Sequence, residues 1–414
     1  SALGEVLTRR DARNVTTLFC YDKLGRTTYK SASVDVDANG TPDAVVDTWL
    51  FDPPGALGQL WIAQRQINSV LEKRSTYTYD PLARPSRRSS QQNQGGGTTQ
   101  TFVTDTVYDG NYGRPKQLIH PSGDSVWLRY TKYGQLNQES DFPNTQDYRR
   151  ITAVTERGQS QTEYLGAALT ASYAYTGHTG QMTSAIYTKA GSTVRQLGYQ
   201  YDVFGNVTKQ ELGVSATTTE TYAYDKLMRL TSATRVGGAS GVVSYTYDAV
   251  GNFRTKSDYS TTIADASLYT GGACGGGPNA VKRITLAAAV GSGTRTLCYD
   301  PNGNLTDFST AGGNGERFAA RYAHDNLPYR TVRGGVTVDL TYDADGARVR
   351  QSGADGTRLY DGAYEKLLSP AEHKIYLGDY AVLTRPVGGA LRVNFLLKDR
   401  LGSVDAVTDA AGTL

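Results

Sequence analysis

Methionine is nearly absent from this chain, 2 in 414 residues, and tryptophan (3), histidine (4) and cysteine (3) are scarce. Cys20, Cys274 and Cys298 show no CxxC spacing, which excludes a disulfide framework and a cysteine-built zinc site. One bridge between Cys274 and Cys298 stays open. His120, His178, His324 and His373 form no HExxH or other ligand pair and read as loop or face residues. Charge of one sign is lacking too. Lys+Arg 43 against Asp+Glu 40 leaves net +3 with no basic block, which excludes a nucleic-acid stripe and a polybasic membrane patch. No apolar run approaches the roughly 18–20 residues of a membrane span. No charged-then-apolar leader opens the chain, so no signal peptide is expected. GxSxG and Walker A motifs are missing. Gly275-Gly276-Gly277-Pro278-Asn279-Ala280 has the outline of GxGxxA, but Pro278 and the want of a strand–helix context make it a loop.

Tyrosine and glycine are plentiful instead: 29 Tyr against 9 Phe, with 46 Gly. That balance favours strands and tight turns over helices. The dipeptide Tyr-Asp occurs nine times, starting at Tyr21, Tyr79, Tyr108, Tyr201, Tyr224, Tyr247, Tyr299, Tyr342 and Tyr360. Gly often follows at the fourth position: Gly25, Gly134, Gly205, Gly251, Gly303 and Gly346. Tyr201, Tyr224 and Tyr247 are 23 residues apart, as are Tyr299 and Tyr322. Phe51-Asp52-Pro53-Pro54-Gly55, Tyr130-Thr131 to Gly134, Tyr175-Thr176 to Gly180 and Tyr322 to Asn326 read as decayed units.

One unit shows the local physics. Tyr245 and Tyr247 alternate with Thr246 and share a strand face. Asp248 can accept hydrogen bonds from its own turn, and Gly251 supplies positive φ. Phe253 opens a second strand. The unit is therefore a hairpin with a four- or five-residue loop, aromatic and aliphatic on one face and polar on the other. Repeated every 23 residues, it predicts roughly 36 strands, too many for an open flat sheet at ~4.8 Å spacing. The expected fold is all-β, an antiparallel β-hairpin array curled into a spiral or hollow shell. A propeller with two units per blade fits the unequal spacing less well. Polar insertions at residues 89–101 and 271–277 are expected as loops.

The units Tyr21-Asp22-Lys23-Leu24-Gly25-Arg26, Tyr201-Asp202-Val203-Phe204-Gly205-Asn206 and Tyr299-Asp300-Pro301-Asn302-Gly303-Asn304 resemble the Rhs/YD-repeat family over nearly the whole chain. Lys398-Asp399-Arg400-Leu401-Gly402-Ser403 is similar to the DHLGS motif of the Rhs core segment, with Arg400 in place of His. The resemblance implies a YD-repeat array over 1–360 and an Rhs-core-like segment over 361–414 that stops before the family's self-cleavage motif. No DPxGL occurs, so no catalytic residue is assigned. It also implies a non-catalytic wall of a toxin-encapsulating shell, similar to polymorphic Rhs toxins, to the C component of insecticidal toxin complexes and distantly to teneurins. The implied partners are a C-terminal toxin cargo on the same polypeptide and a capping or secretion-system protein. The implied setting is a secreted or exported bacterial protein. A teneurin-like adhesion or glycan-binding module is the alternative.

The structural residues expected from the repeat are Tyr21, Asp22, Gly25, Tyr201, Asp202, Gly205, Tyr247, Asp248, Gly251, Tyr299, Asp300, Gly303, Tyr342, Asp343 and Gly346, with Asp399 and Gly402 from the terminal motif. No cofactor is expected. A calcium candidate is Asp35, Asp37, Asn39 and Asp43, spaced like the first half of an EF-hand loop. Val46 holds the twelfth position, and Asn39-Gly40 equally reads as a hairpin turn, the preferred reading.

Overall fold

A computed structural model describes residues 1–37, 39–141, 146–214, 217–262, 276–277, 279–312 and 316–414. The chain is all-β, with thirty-five strands and one short 3-10 turn at Ala288–Val290 among the described residues. The described strand pairings are antiparallel and join strands consecutive in the chain.

The hairpin around Tyr201 shows how the repeat builds this. Strand Ser192–Tyr201 alternates, and Leu197 and Tyr199 are its buried residues. At its end the register slips between Gln200 and Tyr201, so that Tyr201 faces Val207 across a five-residue loop, 202–206. The slip is a β-bulge, which re-aims one side chain and increases the local twist. It recurs at Tyr21, Phe51, Tyr79, Tyr130, Tyr175, Tyr224, Tyr299, Tyr322 and Tyr342. The re-aimed phenol reaches the preceding strand. Tyr201 Oη donates to the Met182 carbonyl at 2.6 Å, Tyr79 to Leu60 at 2.6 Å, Tyr224 to Val207 at 2.8 Å and Tyr322 to Leu305 at 3.0 Å.

Several expectations are corrected. Residues 89–101 are not a loop: they fall on the long paired strands Pro85–Gly95 and Thr98–Tyr108, joined by a glycine turn. Their Ser, Gln and Thr side chains suit strands because partners await them on the buried side: Ser90 meets Ser75, and Gln92 donates to the Tyr360 carbonyl. Tyr360-Asp361 is not a repeat turn, since Asp361 pairs with Tyr364 across a two-residue hairpin. His120 and His324 lie in turns, as loop residues, and both are buried. Most of 271–277 lies outside the described residues, as does Cys274; Cys298 is disulfide-bonded and Cys20 is a free thiol.

The chain forms two compact units, each from two separated stretches. In the unit of Ser1–Asp105 and Thr246–Ala371, the seam between stretches is strongly polar. Arg65 pairs with Asp47 and reaches Asp325 at 3.4 Å. Lys73 lies 3.3 Å from both Asp343 and Asp361, and Arg88 holds Asp361 at 2.9 Å. Charges survive burial here because each meets an opposite charge, Asp325 and Asp343 from turns and Asp47 and Asp361 from strands. Phe102 against Tyr364, centroids 5.5 Å apart, closes the apolar end.

The unit of Thr106–Tyr245 and Glu372–Leu414 joins its stretches through apolar side chains as well as ion pairs such as Arg385 with Asp124. Ile375, Leu383, Phe395 and Leu397 from the C-terminal strands are at most 1 % exposed, as are Leu165, Leu169 and Leu197. Gly166 is required there: a Cβ would lie 2.8 Å from the Phe395 ring. Tyr187 and Tyr199 fasten the same strands, taking or giving hydrogen bonds at Lys398 and Arg400.

Candidate functional site

The recurring aspartates act as turn locks. Asp202 Oδ1 accepts the N–H groups of Phe204 and Asn206, both at 2.9 Å, and its Oδ2 takes the Asn206 amide. Asp22, Asp248, Asp343 and Asp399 repeat the two backbone bonds. Asp300 accepts from the Asn304 N–H and side chain. Where the residue four after the Asp is Arg or Asn, it is a second lock; Arg84 holds the Asp80 carboxyl below its ordinary range, and Asn206 does so for Asp202. Gly25, Gly205, Gly251, Gly303, Gly346 and Gly402 all have φ between 76° and 96°.

The remaining expected tyrosines follow suit: Tyr21, Tyr299 and Tyr342 donate to the carbonyls of Val6, Val281 and Pro328. Tyr247 packs on Phe253, ring centroids 4.9 Å apart. The turn carboxylates are engaged within their own turns, and Asp343 also meets Lys73 at 3.3 Å. Units that lost the Asp keep the lock through a hydroxyl: Thr131 Oγ1 accepts the Tyr133 and Gln135 N–H groups. Thr155, in a unit not expected from sequence, does the same for Arg157 and Gln159. The legible signal would have been Thr three residues before Gly158.

Adjacent turns also hold one another. Arg26 bridges Asp22 and Asp52 at 2.6 Å each, Gln181 donates to the Gly205 carbonyl, and Asn302 and Asn304 share Asn326 Oδ1. Those contacts tie neighbouring hairpins along their turn edge.

The calcium candidate is gathered in space: one oxygen of each of Asp35, Asp37 and Asp43 lies within 4.8 Å of the others. The oxygens carry protein donors. Asp35 takes the Gly40 N–H, Asp37 two bonds from Asn39, and Asp43 the Val36 N–H and the Asn68 amide. Asn39 turns its oxygen to Thr41 N–H, and Val46 sits in the strand Asp43–Phe51.

A buried ionisable cluster lies in the Thr106–Tyr245 and Glu372–Leu414 unit. Arg149 meets Glu163 at 2.7 Å, Tyr173 Oη donates to Glu163 at 2.7 Å, and Arg149 lies 5.1 Å from the Tyr380 ring centroid. Burial pushes the Glu139 carboxyl and the Tyr380 phenol up. Glu163 is 3 % exposed and Tyr380 5 %, so the cluster is buried between strands.

No protein-family model matches the chain, and no curated protein matches it either. Solved structures do. The TcdB2-TccC3 crystal structure lacking its hypervariable C-terminal region superposes with a TM-score of 0.58 at 15% identity, over 99% of this chain and 24% of that one. TcdB2-TccC3 itself gives 0.57 at 15% identity, over 99% and 24%. The Photorhabdus luminescens Tc holotoxin pore gives 0.55 at 17% identity, over 100% and 24%. The chain thus spans about a quarter of the length of these neighbours. The chain shares the fold of the matching part of these Tc toxin structures.

Proposed function

We propose that this chain is a non-catalytic length of wall in a hollow shell that encloses a toxin carried C-terminally on the same exported bacterial polypeptide. The supporting observation is the use of the repeat residues. The turn aspartates, the positive-φ glycines and the bulge tyrosines are spent on holding hairpins to one another, as a wall requires. The fold shared with TcdB2-TccC3, at about a quarter of its length, agrees with a wall segment rather than a whole container. No helix among the described residues is long and apolar enough to cross a membrane.

Limited proteolysis of the polypeptide carrying this chain and its C-terminal cargo tests the proposal. The cargo should resist protease while the wall is folded and be digested once denaturant opens it. A cargo cleaved as fast as the same sequence free in solution would overturn enclosure and favour a surface adhesion role.

A further inference from the structure

Within the unit of Ser1–Asp105 and Thr246–Ala371 lies a cavity of about 430 Å³. That is within the roughly 300–1,000 Å³ of small-molecule sites. His324, Arg65 and Val45, all buried, line its depth, and Val70, 46 % exposed, stands at its rim. His324 is 2 % exposed, and neither ring nitrogen meets a protein hydrogen-bond partner. A buried polar group without a partner costs free energy, so such a group facing a cavity marks a place for a ligand atom. Burial pulls the imidazole pKa down to about 4, outweighing the attraction of Asp325 and joined by repulsion from Lys30 and Arg65. Near neutral pH the ring is uncharged, one nitrogen donating and the other accepting.

The charged groups of the lining are already matched. Arg65 binds Asp47 at 2.6 Å, Arg330 binds Asp339 at 2.6 Å, and Arg350 meets Glu72 at 3.0 Å. Asp43 and Asp37 accept the bonds from Val36, Asn68 and Asn39 described above. An anion would have to compete with an ion pair for each of these cations, and a cation with the neutral donors already held by Asp37 and Asp43. A hydroxyl both donates and accepts and needs neither. Tyr329 and Tyr342 add aromatic surface for the C–H face of a ring.

We propose that this cavity binds a neutral, hydroxyl-rich small molecule of mono- to disaccharide size, with a ligand hydroxyl hydrogen-bonded to His324. The site stands apart from any role of the wall in enclosure.

Calorimetric titration of the full chain tests it. The neutral probes are glucose, galactose, N-acetylglucosamine, sucrose and myo-inositol; inorganic phosphate and putrescine are the charged ones. At least one neutral probe should bind saturably. His324→Leu should weaken it by about tenfold or more, through loss of the buried hydrogen bond. His324→Gln, which keeps a donor and an acceptor, should retain most of the binding. Val70→Trp narrows the rim from an exposed position and should also weaken binding with the far-UV dichroism unchanged, which keeps the test open if His324→Leu fails to fold. Overturning results are no saturable binding of any neutral probe, saturable binding of phosphate or putrescine alone, or affinity unaltered in both His324→Leu and Val70→Trp.

Discussion

At the scale of the residue, the turn positions divide into those where conformation is enforced by chemistry and those where it is enforced against it. Gly251 has φ +96° with nothing within 4 Å of a Cβ position, so any side chain there meets backbone strain alone. Gly251→Val should cost about 1 kcal/mol or more, because β-branched residues resist positive φ. Ala83 and Met228 take the equivalent turn place at φ 58° and 59° despite their side chains. Ala83→Gly should be neutral or stabilise by up to about 1 kcal/mol, relief of left-handed strain set against the entropy of a freer unfolded chain. Denaturant midpoints decide both; a neutral Gly251→Val beside a destabilising Ala83→Gly would reverse the reading. His324 makes a pH prediction. Its folded pKa, about 4, lies below the ordinary 6.5, so the unfolded state binds more protons between these values. Its neutral form therefore supports the fold above pH 6.5, and that support is lost as pH falls towards 4. The loss is on the order of 3 kcal/mol. Urea unfolding from pH 7 to 4 should show the fall, and His324→Gln should flatten it; equal slopes in both proteins would contradict it. The turn carboxylates, with lowered pKa values, add their loss only at lower pH.

At the scale of the element, legibility in the sequence follows the range of the interaction. The loop 202–206 could be read because Asp202, Gly205 and Asn206 act on backbone within four residues. The bulge at Tyr201 could not, since its phenol bonds the carbonyl of Met182, and a carbonyl carries no residue identity. The Thr131 unit could be read because Tyr130 and Gly134 frame it, whereas Thr155 hid its unit because Val154 stands where the tyrosine would be and a hydroxyl replaces the carboxylate. Residues 89–101 misled for a different reason. Ser, Gln and Gly composition signals a loop when only local preference is weighed, but Gln92, at 0 % exposure, is held by Tyr360 far along the chain. Tyr360-Asp361 misled in the opposite sense: its aspartate answers Lys73 and Arg88 rather than its own turn. The cavity at His324 was illegible, because nothing near residue 324 in sequence shows that Arg65 and Val45 will face it.

At the scale of the whole molecule, two accounts of stability compete. In a repeat array held by nearest neighbours alone, each hairpin contacts only the next, and a shortened array remains folded. The seams argue for closure between distant stretches instead. Thr246–Ala371 must be made before Arg65, Lys73 and Arg88 can meet Asp325, Asp343 and Asp361, and Glu372–Leu414 before Gly166 can meet Phe395 and Tyr187 can meet Lys398. A polypeptide ending at Tyr245 would strand charges whose partners are missing and expose apolar side chains worth about 1.5–3 kcal/mol each when buried. Such a truncated chain should bind the hydrophobic dye ANS and be digested at far lower protease concentrations than the full 414 residues. Resistance equal to that of the full chain would mean that the bulge tyrosines and turn locks suffice, and that the seams close a wall already stable by itself.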